Sequence, residues 1–200
     1  MHLAGYGWRV NENHKLCSSP EWAERLQKTI LPYRVRDVDL GERMLEVGPG
    51  PGAATEWAAF PGPPTGHRRG GAGGCGQPER VLRTHQRDYR RGDATAMAFA
   101  DGSFDSAGCF TMLHHVPSTA AQNRLLAEVQ RVLRPGGALI GSDSLPSDRL
   151  HQLHEADTYN PVEPGTLVTR LQTIGFDRIT VNVDGTMKFI AHKPADDRGA

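Results

Sequence analysis

The stretch Met44-Leu45-Glu46-Val47-Gly48-Pro49-Gly50-Pro51-Gly52-Ala53-Ala54-Thr55 constrains the fold of this chain more than any other. A short apolar run carrying an acid, three alternating glycines and then Ala-Ala-Thr predict a buried strand that enters a helix through a very tight turn. Glycine lets the backbone approach a ligand closely, and the free N–H groups at a helix start face whatever sits there. The default occupant of such a turn is a small molecule of the nucleotide kind.

Two cofactor classes use turns of this type. Dinucleotide enzymes place G-x-G-x-x-G after an apolar strand, so that a pyrophosphate rests on the helix N-terminus. Gly48-x-Gly50-x-x-Ala53 fits that pattern loosely. Glu46, two residues before the first glycine, and the tighter Gly48-x-Gly50-x-Gly52 spacing speak against it. In these residues the chain resembles the class I S-adenosylmethionine (SAM)-dependent methyltransferases, whose first motif is an acid, one residue and then G-x-G-x-G. SAM carries a sulfonium and a zwitterionic methionyl end but no phosphate. An acid beside the turn suits that ligand and repels a pyrophosphate.

With 200 residues the chain is long enough for one domain with a substantial core. Its 23 basic and 23 acidic side chains balance, so overall charge points to neither nucleic acid nor an anionic membrane as partner. No run of ~20 apolar residues and no signal-peptide pattern occurs, and the expected location is cytoplasmic. Cys17, Cys75 and Cys109 share no C-x-x-C spacing, which disfavours a disulfide framework or a structural zinc site.

Residues 1–40 read as an N-terminal arm and helix. Ser18 or Ser19 caps a helix with Pro20 in its first turn and Trp22, Leu26 and Ile30 on one face, a stripe read as packing. By the resemblance, such an arm folds over the cofactor, which makes Tyr6, Trp8 and His14 pocket candidates. Asp39 and Gly41 then turn the chain into the first strand.

The segment 58–91 does not fit. The family pattern requires the rest of a helix and then a second strand, ending on an acid ~20 residues beyond the glycines that binds a ribose hydroxyl. Instead, Pro61 to Arg80 holds seven glycines and four prolines, with no Val, Ile, Leu, Met or aromatic residue. Such a segment cannot bury enough surface to offset its ordering entropy, so it is expected to be disordered and the second and third strands to be lost. The genetic code suggests a reason. Back-translated and read one base later from His85, the chain permits Thr-Asn-Val-Thr-Ile-Val-Glu before Gly92-Asp93. The same shift from Ala58 to Gly70 permits a helix tail and a strand ending on the missing acid. A compensating pair of frameshifts near codons 58 and 91 would produce this sequence. Two other readings are a native disordered insertion and, at His67-Arg68-Arg69-Gly70-Gly71, a flexible nucleic-acid tether.

Beyond this segment the resemblance resumes in order. Asp93 and Ala94 match by position the acid and backbone N–H that read adenine. Phe104-Asp105 followed by Thr111-Met112-Leu113-His114-His115-Val116 looks like the fourth motif of the small-molecule branch, which includes quinone-biosynthesis methyltransferases. Backbone carbonyls at Phe110 and Thr111 would receive the methionyl amino group. His114 and His115 stand where the acceptor side opens, as candidates for a general base. Adjacent side chains on a helix or loop diverge, so at most one of the two is expected to point inward. Pro117 and Ser118 start a helix with Leu125, Leu126, Val129, Val132 and Leu133 on its apolar face. Leu133-Arg134-Pro135-Gly136-Gly137 ends it, and Ala138 to Gly141 forms a strand.

His151 and His154 lie three apart but lack a third ligand of clear position, so no metal site is assigned. Asp143, His154, Glu155, Asp157 and Tyr159 are candidates to line the acceptor site. Glu163-Pro164 opens another helix, stopped by Gly175. Asp184-Gly185, between Phe176–Val183 and Thr186–His192, signals a type I′ hairpin. The expected architecture is a single α/β domain over residues 1–200, Rossmann-like, with a parallel sheet and a C-terminal antiparallel hairpin. The resemblance implies methyl transfer from SAM to a small-molecule acceptor, with no enzyme nucleophile required. Alternatives are a methyltransferase-like protein impaired by its frameshifted middle, and a NAD-binding oxidoreductase.

Overall fold

The computed structural model describes residues 19–31, 38–49, 54, 92–155 and 157–196. Tyr6, Trp8, His14, Cys17, Ser18, Gly50, Gly52, Cys75 and the anomalous segment 58–91 lie outside the described residues.

The described elements are α1 (Pro20–Arg25), β1 (Met44–Val47), β2 (Phe104–Phe110), α2 (Thr119–Val132), β3 (Leu133–Asp143), α3 (Asp148–Leu153), α4 (Pro164–Ile174), β4 (Asp177–Val183) and β5 (Met187–His192). They build a five-stranded sheet of order β1-β2-β3-β5-β4. β1, β2 and β3 run parallel, while β5 pairs antiparallel with both β3 and β4. This is the expected mixed sheet, parallel and closed by a hairpin.

Alternation along the strands separates two cores. Leu45, Val47, Ala107, Cys109, Leu139 and Phe189 face one side, under Leu125, Leu126, Val129 and Val132 of α2 and Leu167 and Leu171 of α4. Phe110, Ile140 and Ile190 face the other, covered by Leu26, Ile30 and Leu31. The predicted N-terminal stripe is therefore a lid on the sheet's second face. Ser19 caps α1 by accepting from Trp22 N at 3.1 Å, and the chain then continues as a wider helical turn over Leu26–Ile30. Ala54 is helical and buried in this second core, as expected of the helix after the glycine turn.

The entrance to β1 is clamped by the motif aspartate of β2. Asp105 Oδ2 accepts from Glu42 N at 2.9 Å and Arg43 N at 2.8 Å, and Oδ1 pairs with Arg134 Nε at 2.5 Å. These N–H donors, with the Arg134 charge, hold the Asp105 carboxyl below its ordinary range against the opposing effect of burial. Gly41 turns here with φ +64°, and a Cβ on it would lie 2.3 Å from Asp105 Cβ. No other residue fits.

Two expectations need correction. β3 is longer than Ala138–Gly141. It pairs with β2 from Leu133, bulges outward through the Pro-Gly-Gly residues and re-enters the ladder at Ala138, running on to Asp143. The hairpin is not type I′. Val183 pairs with Met187 across three residues, and only Gly185 has positive φ, +64°. A type I′ turn needs a positive angle at both central residues, whereas one left-handed glycine serves a three-residue loop.

Candidate active site

The parallel register aligns the carboxyl ends of β1, β2 and β3, with Val47 beside Cys109 and Phe110 beside Ser142. Ligands of open α/β sheets bind at this edge. The glycine turn leaves β1 here, the 111–116 turn leaves β2, and Asp143 ends β3.

Gly48 starts the glycine turn with φ +67°, and a Cβ added to it would come within 3.1 Å of Met112 Cε and 3.2 Å of Met112 Cβ. The two turns thus pack directly on each other. Thr111 has φ +50°, an unusual angle for a β-branched residue. Such backbone is strained by roughly 1–3 kcal/mol and persists where surrounding structure enforces it. Here Thr111 N donates to Ser142 O at 2.7 Å, tying the residue after β2 to β3. Cys109 just inside the edge is fully buried, and its thiol is pushed up to about 12, first by burial and then by the charges of Asp143 and Glu46.

Asp93 lies in a turn whose side chain holds its own backbone. Oδ1 accepts from Thr95 N at 2.8 Å and Thr95 Oγ1 at 2.7 Å, and Ala94 behind it is buried. The loop that follows is fastened to α2. Glu128 Oε2 accepts from Met97 N at 2.6 Å, while Arg131 donates to Phe99 O at 2.8 Å, Met97 O at 2.9 Å and Asp101 Oδ1 at 2.6 Å. Glu128 and Arg131 also pair with each other at 2.8 Å and 2.9 Å. The Arg131 hydrogen bonds hold the Glu128 carboxyl below its usual range.

His114 and His115 form a short 3-10 turn, Leu113–His115, in which His114 is buried and His115 half-buried, and both rings join one group with His154. Their centroids are 4.1 Å apart, and those of His114 and His154 5.0 Å. The expectation that at most one points inward is therefore overturned. It holds for a regular helix, whereas this turn is pinned from outside. Gln122 Nε2 donates to Leu113 O at 3.0 Å, Asn160 N to His114 O at 2.8 Å and Asn160 Nδ2 to Val116 O at 3.0 Å.

Asp143 is fully buried and answers His114. Its Oδ1 lies 2.5 Å from His114 Nδ1 and accepts from Ser144 N at 2.8 Å, and its Oδ2 accepts from His114 N at 3.2 Å. Tyr159 stacks on His154 at 4.8 Å and meets the His114 ring edge at 6.2 Å. Burial, and secondarily the charges of Asp143 and Glu163, raise the Tyr159 phenol above its ordinary value.

The acceptor candidates Asp143, His154 and Tyr159 thus converge with His114 and His115. Asp157 instead accepts from Thr158 N at 2.6 Å, and Glu155 is exposed. His151 approaches the Tyr159 ring at 5.9 Å, while the group of close ligand atoms is made by His114, His115 and His154. The residues that pin the turn, Gln122 and Asn160, escaped the sequence reading. Gln122 carried a signal, being a polar residue on the apolar stripe of α2 three positions before Leu125.

Residues 45–141 match the family model described as methyltransferase domain. That stretch of the chain is a methyltransferase domain. It contains the glycine turn, the Asp93 loop and the 111–116 turn. The methyltransferase GfsG of Streptomyces halstedii is 30% identical over 131 residues, 62% of this chain and 44% of that protein. The ubiquinone/menaquinone biosynthesis C-methyltransferase UbiE of Dinoroseobacter shibae is 37% identical over 81 residues, 39% of this chain and 31% of that protein. The chain spans less than half the length of the curated relatives it matches. In fold, the chain is similar to the CurJ carbon methyltransferase, with a TM-score of 0.57 at 15% identity over 86% of this chain and 54% of that one. Among the described residues no helix is long and apolar enough to cross a membrane.

Proposed function

We propose that this chain transfers a methyl group from SAM to a small-molecule acceptor. The observation that carries the reading is the packing of Gly48 on Met112, which puts the predicted cofactor turn and the histidine turn at one sheet edge. Glu46, Gly48, Gly50 and Gly52 cradle the methionyl half of SAM, and the carbonyls of Phe110 and Thr111 receive its amino group. Asp93 and Ala94 read the adenine, Asp93 through the oxygen not given to Thr95. His114, His115, His154 and Tyr159 form the acceptor side, with His114 held by Asp143.

In the reaction the acceptor's lone pair bonds to the methyl carbon as the carbon–sulfur bond breaks, and that electron pair stays on sulfur as S-adenosylhomocysteine forms. The acceptor's proton passes to water on the side of the histidine cluster. SAM supplies the reactivity, and the protein supplies alignment and exclusion of water. The quinone-biosynthesis C-methyltransferase named UbiE, 37% identical over 81 residues, makes an enolic or phenolic compound a natural first choice.

The test is formation of S-adenosylhomocysteine by the purified chain with SAM and a panel of phenols, quinols and β-dicarbonyl compounds. Product that depends on the acceptor supports the reading, and none with any of them, despite bound SAM, contradicts the acceptor assignment. We further propose that the segment 58–91 is the product of paired frameshifts. Restoring the shifted frame, and with it the ribose-binding acid, is then expected to tighten SAM binding ~10–100-fold, the worth of one charge-assisted hydrogen bond.

A further inference from the structure

We propose that His114, His115 and His154 bind one divalent transition-metal ion of the zinc type. Each ring offers a nitrogen, and the three ligand atoms lie within 4.8 Å of one another. The ring centroids form a near-regular triangle, with edges of 4.1, 5.0 and 5.1 Å. Zinc–nitrogen bonds of ~2.0–2.1 Å set tetrahedral ligand nitrogens ~3.4 Å apart, so small side-chain rotations close the set around an ion.

Two of the rings already have the outer partners that metal-binding histidines use. His114 Nδ1–H is directed at Asp143 Oδ1 at 2.5 Å, and His154 Nδ1–H at the carbonyl of Leu150 at 2.7 Å. With the proton held on Nδ1, the lone pair of each ring sits on Nε2. A carboxylate or carbonyl behind the ligand ring fixes its tautomer and orientation and raises its basicity. Asp143 is itself immobilised by the amides of Ser144 and His114.

Charge and burial agree with a cation. His114 is 5% exposed, His154 6% and Asp143 0%, so a carboxylate is enclosed directly behind a cluster of imidazoles. His115 Nδ1 and His154 Nε2 are shielded from solvent as well. An all-imidazole set suits zinc, copper, nickel or iron and not magnesium or calcium, which prefer oxygen ligands. Three protein ligands also leave a coordination position open, as catalytic zinc sites do.

The open position gives the acceptor a chemical class. An acceptor that binds through an enol or phenol oxygen is held as its conjugate base, its proton leaving to water, and its nucleophilic atom is presented to the methyl group. This second step rests on the methyl-transfer reading, whereas ion binding does not.

The test is calorimetric titration of the full chain, stripped of metal with a chelator, with zinc chloride and separately with magnesium chloride. Cobalt(II) follows as a spectroscopic probe, and SAM is titrated in parallel. The expected result is one zinc per chain at micromolar affinity or better, no magnesium binding and the visible bands of tetrahedral cobalt. His115→Ala and His154→Ala should each weaken zinc at least ~100-fold, Asp143→Asn ~10–100-fold, and His151→Ala not at all. Absence of zinc binding to the folded chain overturns the proposal, as does binding that His115→Ala and His154→Ala leave unchanged. SAM binding without zinc would sink the metal site alone. Zinc binding without SAM would sink the methyl-transfer reading alone.

Discussion

His114 Nδ1 and Asp143 Oδ1 meet at 2.5 Å across the ends of two neighbouring parallel strands, 29 residues apart in the chain. The contact fixes which nitrogen of His114 faces the acceptor side, and it is made by a carboxylate with no solvent exposure. Replacing Asp143 by Asn keeps the shape and removes the charge. We expect methyl transfer to fall ~10–100-fold, the usual cost of losing an outer-shell partner, with SAM affinity unchanged. Steady-state kinetics beside a SAM titration checks both halves.

Arg131 makes three contacts to the loop between Asp93 and Phe104, and Glu128 a fourth. Arg131→Ala leaves the Phe99 and Met97 carbonyls without their charged donor, so stability should drop by ~2–3 kcal/mol. SAM affinity should fall as well, because the Asp93 turn is no longer held. Arg131→Lys should rescue little, since one ammonium cannot reproduce the guanidinium fork. Denaturant melts and a SAM titration of both variants decide this.

Much of this architecture was legible in the sequence because it depends on local signals. Ser19-Pro20, the apolar stripe of α2 and Gly175 each act within a few residues, and each formed as read. The histidines were legible as acceptor-side candidates, but their close clustering was not. His154 reaches His114 and His115 only because α3 follows β3 at the edge where β2 ends, and Gln122 and Asn160 force adjacent rings to one side. Periodicity carries no information about such long-range pinning. The hairpin type failed for a related reason, since strand register and not the Asp-Gly pair set the loop at three residues.

Asp105 sets part of the acid limit. Its folded carboxyl is held below the ordinary value of about 3.9, so its stabilisation is complete above that pH and is lost as pH falls through the lower folded value. Glu128 behaves in the same sense. Thermal melts should therefore drop below about pH 4, and Asp105→Asn should lower the neutral-pH melting point while flattening that acid slope. An unchanged slope in the variant would count against the clamp at the entrance to β1.

Cys109 should be inert. With its thiol pushed up to about 12 and no solvent exposure, it holds almost no thiolate at pH 8. Iodoacetamide at that pH should leave the Cys109 peptide unmodified in the native chain and label it fully in denaturant, as read by mass spectrometry.

We propose that the turn after Glu46 holds a cationic methyl donor and not a pyrophosphate. Parallel calorimetric titrations of the chain with SAM and with NAD measure it most directly. One SAM site per chain is expected, weakened by Gly48→Val, whose side chain would strike Met112, and no heat from NAD. Binding of NAD without SAM would contradict it.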